Sequence, residues 1–237
     1  MWVANEELVF RFPRPGFRRR TAKVEIEVRV LEALPPAARA PGLELVSPRG
    51  YSALEFVRGA SGEERRPPRA AWPALGREVR AALAAVHATR PPAGTPRVRL
   101  PRPDALLAQA RREAPLAGID PAALTEPRPE RGSVKEVLCH GDLKGEHFLL
   151  DERDRLAGIV DWADACVCDP VRDLAGVVIW LGPAFARLVD PELADHATFY
   201  GRCLAIENVA RTERGRWDAP RNVVYAQLEW AFADKTL

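Results

Sequence analysis

No apolar run in this chain approaches the roughly 20 residues that a membrane-spanning helix needs. The opening residues, Met1-Trp2-Val3-Ala4-Asn5-Glu6-Glu7, carry neither the basic nor the apolar stretch of a secretion signal. These absences predict a cytoplasmic protein that makes no use of a membrane. Cysteine is scarce: Cys139, Cys166, Cys168 and Cys203 are the full set. Cys166-x-Cys168 is too tight for a zinc knuckle and no second pair follows, so free thiols are expected rather than a structural metal. Repeats and low-complexity tracts are lacking. The arginines are scattered and accompany no recognition motif, which argues against a nucleic-acid partner.

What is present suits a globular protein with a sizeable core, a monomer or weak dimer: 237 residues, 47% hydrophobic and 29% charged. The net charge of +2 hides an imbalance. Residues 142–237 hold 17 acidic and 11 basic side chains, which leaves 16 acidic and 24 basic in residues 1–141. A basic part beside an acidic part would suit an anionic cofactor and a cationic substrate, although solvated surface charge explains the same numbers.

Short apolar runs at Trp2–Ala4 and Leu8–Phe12 predict a hairpin that carries Arg11, with Pro13, Pro15 and Gly16 ending it. Val24, Val28, Leu31 and Leu34 recur at helical spacing across 22–34, up to Pro35-Pro36. Residues 43–46 and 53–57 read as strands around Pro48-Arg49-Gly50, and 59–68 as a polar loop. Trp72, Leu75, Val79, Leu83 and Val86 mark a helix that stops before Pro91-Pro92. A Pro-rich connector (91–103) and a short helix (104–117) follow. Strands are expected at 134–139, 148–150 and 156–161, then helices at 170–181, 191–206 and 220–232. Each of these helices opens near a proline, with Asp169 and Asp190 at cap positions. A strand-rich part thus precedes a mainly helical one, with a cleft between two lobes as the expected ligand site.

The chemistry concentrates in His140-Gly141-Asp142-Leu143-Lys144-Gly145-Glu146-His147, followed by Ile159-Val160-Asp161-Trp162. Phosphoryl transfer needs a group to orient the attacking hydroxyl and then ligands for Mg²⁺, in this order. Asp142 can orient the hydroxyl and take its proton. His140 reads as a brace for the loop. Lys144 either neutralises charge on the transferred group or is an ordinary exposed lysine. Asp161 ends an apolar strand, an expensive place for a carboxylate unless it binds something, and Mg²⁺ would serve. His147 is the odd member, since Mg²⁺ prefers oxygen; a packing residue is the alternative.

The His-Gly-Asp-Leu-x-x-x-His-x-Leu and Ile-Val-Asp-Trp segments resemble those of the aminoglycoside phosphotransferase family, relatives of protein kinases. The match runs from Leu138 to Leu174 and includes Asp169-Pro170 and Asp173-Leu174, which in the family brace the catalytic loop and the following helix. Most members carry Asn where this chain has His147. Histidine there is similar to the aminoglycoside 2″-phosphotransferases and macrolide phosphotransferases, and Asp161-Trp162-Ala163-Asp164-Ala165 resembles the macrolide branch.

The resemblance implies an α+β, protein-kinase-like two-lobe fold. Residues 1–59 would form a small β-rich nucleotide lobe with its hinge, and 60–237 a larger helical lobe with the catalytic loop and acceptor site. It implies Asp142 as catalytic base with Lys144 beside it, and His147 and Asp161 as metal ligands. It further implies Arg11 in the place of a phosphate-binding lysine, with Glu27 as its pairing glutamate. Ser52–Gly59 looks like the hinge, so that Glu55, Phe56 and Val57 would meet the purine. Val86-His87-Ala88 is similar to a structural Leu-His-Ala.

ATP or GTP and Mg²⁺ are the implied cofactors. A hydroxyl-bearing small molecule, an aminoglycoside or macrolide antibiotic among the candidates, is the implied acceptor, with Glu207, Glu213 and Asp218 in the region of its contacts. The family places a strand, a phosphate-covering loop and a second strand ahead of the Arg11 strand. Here one hairpin strand precedes Arg11 and the first glycine is Gly16. The expectation is therefore an N-terminally truncated small lobe, from an internal start site, a fragment or an impaired member. A non-catalytic kinase-like nucleotide-binding protein is the alternative function. A metallohydrolase built on His140, Asp142, His147 and Asp161 is a third reading, weakened because only His87 and His196 remain elsewhere.

Overall fold

A computed structural model describes residues 2–12, 18–48, 50–124 and 134–234. The predicted break at Pro13, Pro15 and Gly16, and Arg49 of the predicted turn, lie outside these residues. The described residues form two compact units. One comprises 1–98, 136–142 and 146–170; the other comprises 99–135, 143–145 and 171–237.

The first unit opens with the expected hairpin, β1 (Trp2–Ala4) against β2 (Leu8–Arg11). Asn5 and Glu6 turn it at φ 53 each, a left-handed conformation that asparagine tolerates better than most residues. Strands β3 (Leu43–Val46) and β4 (Ser52–Glu55) complete an antiparallel sheet in the order β1-β2-β4-β3. The register sets Arg11 opposite Ser52 and Leu8 opposite Glu55. Helix α1 (Arg18–Ala33) packs against β3 and against a 3-10 turn at Trp162–Asp164. Its periodic Val28 and Leu31 are buried, as is Glu27 one position earlier.

The polar stretch read as a loop at 59–68 contains a two-residue strand, β5 (Ala60–Ser61), that pairs with a later hairpin. Helix α2 (Trp72–Ala88) buries Leu75, Val79, Leu83 and Val86 and packs on β6 (Val137–Cys139). Strands β7 (Phe148–Leu150) and β8 (Leu156–Ile159) form the hairpin that flanks the central motif. Strand β9 (Cys166–Cys168), paired with β6, was not anticipated. All three of its residues are buried, so the alternation that marks a half-exposed strand is missing. All four cysteines are free and buried.

The second unit is helical. Helix α3 (Pro103–Glu113) continues into a 3-10 turn at Ala114–Ala117. Helix α4 (Val171–Val189) is two segments: Gly182 breaks the backbone (φ 82, ψ 174) directly after the expected end at Leu181, and Pro183 opens a second segment. A residue before proline is disfavoured in the helical region, while proline at a first helical position costs no hydrogen bond. The periodicity therefore described only the first of two helical segments.

Helix α5 (Ala194–Glu213) begins later and ends later than the expected 191–206. Asp190 caps a separate turn instead, its Oδ1 accepting from the N–H groups of Glu192 and Leu193 at 3.0 Å each. Helix α6 (Arg221–Ala231) follows Pro220. Helices α4, α5 and α6 pack on one another, and among the described residues no helix is long and apolar enough to cross a membrane.

Close approach is tightest where α4 meets the catalytic segment. A Cβ added at Gly176 would stand 1.8 Å from the backbone oxygen of Leu143. Gly176→Ala should therefore destabilise the protein by roughly 2 kcal/mol or more. This will register as a fall of at least several degrees in Tm by scanning calorimetry; an unchanged Tm would contradict the packing described.

Candidate active site

The ionic centre of the first unit is a single guanidinium shared by two carboxylates. Arg11 Nη1 donates to Glu27 Oε1 at 2.7 Å and Nη2 donates to Asp161 Oδ1 at 2.8 Å. Strand β2 supplies the arginine, α1 the glutamate and the end of β8 the aspartate. A lysine at position 11 would present a single point charge; the planar fork serves both partners at once.

Glu27 is fully buried and its Oε2 has no hydrogen-bond partner. Burial lifts its carboxyl to about 7, against the pull of the Arg11 charge. Burial pushes Asp161 the same way, but Arg11, through its charge and its hydrogen bond, together with His147, holds Asp161 below the usual carboxylate range. Asp161 adopts φ 67, ψ 65, outside the β8 geometry that the sequence predicts to continue to 161. A non-glycine residue here is strained, and such strain clusters at functional sites.

His147 is oriented by its other nitrogen. Its Nδ1 lies 2.7 Å from the carbonyl oxygen of Asp142, which can only accept, so Nδ1 carries the proton. In the neutral ring Nε2 then presents a lone pair, 3.3 Å from Glu146 Oε1 and 3.9 Å from Asp161 Oδ2. Imidazole and carboxylate so arranged fit a cation between them, with the ring held in the tautomer that a metal ligand needs. The donor set is poorer in oxygen than Mg²⁺ favours.

His140 is the brace that the sequence reading made it. It is fully buried, its Nε2 donates to the Val160 carbonyl at 3.0 Å, and its Nδ1 accepts from the Asp142 N–H at 3.4 Å. Its ring centroid lies 4.7 Å from that of Trp162. Gly141 is required between them: it sits at φ +85, and a Cβ there would come within 2.2 Å of the Asp164 carbonyl oxygen. Asp142 itself is exposed.

The hinge residues divide. The Glu55 N–H donates to the Gly42 carbonyl and the Phe56 N–H to that of Glu7, both at 2.8 Å. Val57 has no such backbone partner among the described residues, and its side chain packs over Gly158. Lys144 belongs to the second unit, its ammonium 5.5 Å from the ring centroid of Trp217. Glu213 is engaged there by Arg221 at 2.8 Å and by the Tyr225 hydroxyl at 3.2 Å.

Two residues escaped the sequence reading. Lys23 donates to Asp164 at 2.5 Å; it stands one helical turn before Glu27, a spacing that puts both on one face. Trp217 carried no local signal, since an isolated tryptophan near a helix end is common.

The fold is that of the protein-kinase-like phosphotransferases. The sequence model of the phosphotransferase enzyme family (APH) matches residues 2–206, and the chain belongs to that family. It is similar to the GDP complex of wild-type aminoglycoside 2′-phosphotransferase-IIIa, with TM-score 0.67 and 22% identity over 98% of this chain and 87% of that one. It is also similar to the apoenzyme of macrolide 2′-phosphotransferase MphH from Brachybacterium faecium, with TM-score 0.60 and 21% identity over 93% and 84% of the two chains. A 36-residue stretch is 47% identical to the uncharacterized protein YcbJ of Bacillus subtilis (strain 168), and spans 15% of this chain and 12% of that protein.

The raised carboxyl of Glu27 has a consequence for stability. Its folded value of about 7 lies above the ordinary 4.5, so this group stabilises the protein fully below pH 4.5 and that stability is lost as pH rises through 7. The difference is on the order of 3 kcal/mol. Urea unfolding at pH 8 and pH 5.5 should show the wild type more stable at the lower pH, with the increment absent in Glu27→Gln. Equal pH dependence in both proteins would refute the assignment.

Proposed function

We propose that this chain is a Mg²⁺-dependent phosphotransferase that moves the γ-phosphoryl group of ATP or GTP to a hydroxyl of a small molecule. The observation that carries this reading is His147: its Nδ1 is tied to the Asp142 carbonyl and its Nε2 faces the Asp161 carboxylate. One bond thereby joins the loop bearing the base to the group poised beside the metal-binding carboxylate.

The acceptor hydroxyl is oriented by the exposed Asp142 carboxylate, which takes its proton as the oxygen bonds to the γ-phosphorus. The bond from that phosphorus to the β-γ bridging oxygen breaks, and the nucleoside diphosphate departs. His147 and Asp161 would hold Mg²⁺, which when bound supplies charge neutralisation for the nucleotide phosphates. Lys144 adds a cation for the transferred group. Arg11 and Glu27 keep Asp161 in place and ionised, and Arg11 is the cation nearest that carboxylate for the phosphates. Of the hinge residues Glu55, Phe56 and Val57, Val57 is best suited to donate its N–H to a purine, because the other two amides are already bonded. Residues 1–59 would then supply the nucleotide side and 60–237 the acceptor side.

Solved structures of similar fold, described as GDP, ADP, kanamycin and gentamicin complexes of aminoglycoside phosphotransferases, support a nucleotide co-substrate and a hydroxyl-bearing antibiotic as acceptor. Glu213 is less suited to a cationic acceptor than its charge suggests, because Arg221 occupies it, which leaves Glu207 and Asp218 as the candidates for that task. The buried free cysteines support a reducing, cytoplasmic setting, and a monomer or weak dimer is in keeping with this reading.

An acceptor panel, read by ADP or GDP release, tests the proposal. Asp142→Ala should lower turnover by about 10²–10⁴-fold while nucleotide with Mg²⁺ still raises Tm as in the wild type. Unchanged turnover in Asp142→Ala would overturn the mechanism. A nucleotide-dependent rise in Tm without turnover of any acceptor would make the chain a binding protein instead.

A further inference from the structure

Leu143 is buried, and its carbonyl lies against Gly176 of α4, so the backbone on either side of Lys144 is seated firmly in the second unit. The lysine side chain has four rotatable bonds, and a contact at its head restricts the positions it takes. Trp217 stands where it can do so: the Lys144 ammonium lies 5.5 Å from its ring centroid, within the roughly 6 Å over which a cation is attracted to an aromatic face.

The tryptophan is half-buried on a connector that is itself fixed. Past the end of α5 the chain is held by Gly215 N–H to Thr212 carbonyl at 2.9 Å and Arg216 N–H to Arg211 carbonyl at 2.8 Å. Ion pairs anchor it on either side, Arg214 to Glu113 and Arg221 to Glu213, each at 2.8 Å. The Arg211 guanidinium approaches the same ring, with its Cζ at 5.7 Å from the centroid. Two cations on one indole repel each other, an arrangement that an anion arriving beside them would relieve.

We infer that Trp217 is a positioning residue for Lys144. Its ring holds the ammonium in place in the catalytic loop, and Arg211 on the same ring adds a second cation, so that a phosphoryl group reaching Lys144 meets cations already placed. The anion's identity rests on the phosphotransferase reading; the contact does not.

The two can be tested apart. The chain has only four lysines, Lys23, Lys135, Lys144 and Lys235, so lysine-selective ¹³C labelling yields four ε-methylene signals, and Lys144→Met identifies one of them. That signal should be shifted upfield by the indole ring current in the wild type, and should return towards the ordinary lysine position in Trp217→Leu. In turnover assays Trp217→Leu should lower kcat by about tenfold, with the nucleotide KM little changed. Trp217→Phe, which keeps an aromatic face, should restore most of the loss. In a Lys144→Met background Trp217→Leu should cost little more, because the two groups act as one.

An unshifted Lys144 signal in the wild type would overturn the inference. So would a Trp217→Leu loss as large in the Lys144→Met background as in the wild type. Absence of any turnover counts against the phosphotransferase reading, and the ring-current measurement then decides the contact alone.

Discussion

The Arg11 guanidinium joins carboxylates that lie 16 and 150 residues away from it in sequence. Strand β2, helix α1 and the end of β8 share no covalent proximity, yet their side chains converge on one planar fork. The bridge is asymmetric. Glu27 is wholly buried, whereas the Asp161 side chain is 44% exposed. The buried partner is the one whose carboxyl rises to about 7, since desolvation there outweighs the attraction of the arginine. The exposed partner stays ionised. One cation thus keeps ready the carboxylate that faces His147, while the other end of the fork is held by a group near its own titration point.

Neighbouring histidines divide their labour by tautomer. His140 uses both ring nitrogens inside the protein, one on the Val160 carbonyl and one on the Asp142 amide. His147 spends one on the Asp142 carbonyl and keeps the other turned towards Asp161. Their ring centroids are only 5.4 Å apart, so residue type and position alone do not tell the two rings apart. The partner atoms do. A carbonyl oxygen forces the facing nitrogen to carry its proton, and that leaves the second nitrogen of a neutral ring with a lone pair.

Much of the architecture was legible because amphipathic periodicity survives where one face meets solvent. Helix α2 was readable in this way, whereas β3, β7 and the opening hairpin were readable as short apolar runs bounded by turn residues. Where both faces are buried the signal fails, and β9 was missed; α4 was read to Leu181, directly before the break at Gly182. Helix α5 shifted because Asp190 caps a turn rather than the helix. In the site, the spacing of Asp142, His147 and Asp161 pointed to phosphoryl transfer before any coordinate was needed. Lys23 and Trp217 were not legible, since each acquires its partner only through tertiary contact.

By itself the sequence determined the family, the α+β class and the order of the chemical groups, because these depend on residue type and local spacing. Tertiary structure alone decided which nitrogen of His147 faces Asp161, that Arg11 serves two carboxylates, that Glu213 is already engaged by Arg221, and that an indole stands over Lys144. Each of those facts concerns a proton, a charge or a ring whose partner is remote in sequence. Folding sets the distances between such groups, and electrostatic and hydrogen-bond energies depend on those distances rather than on sequence separation.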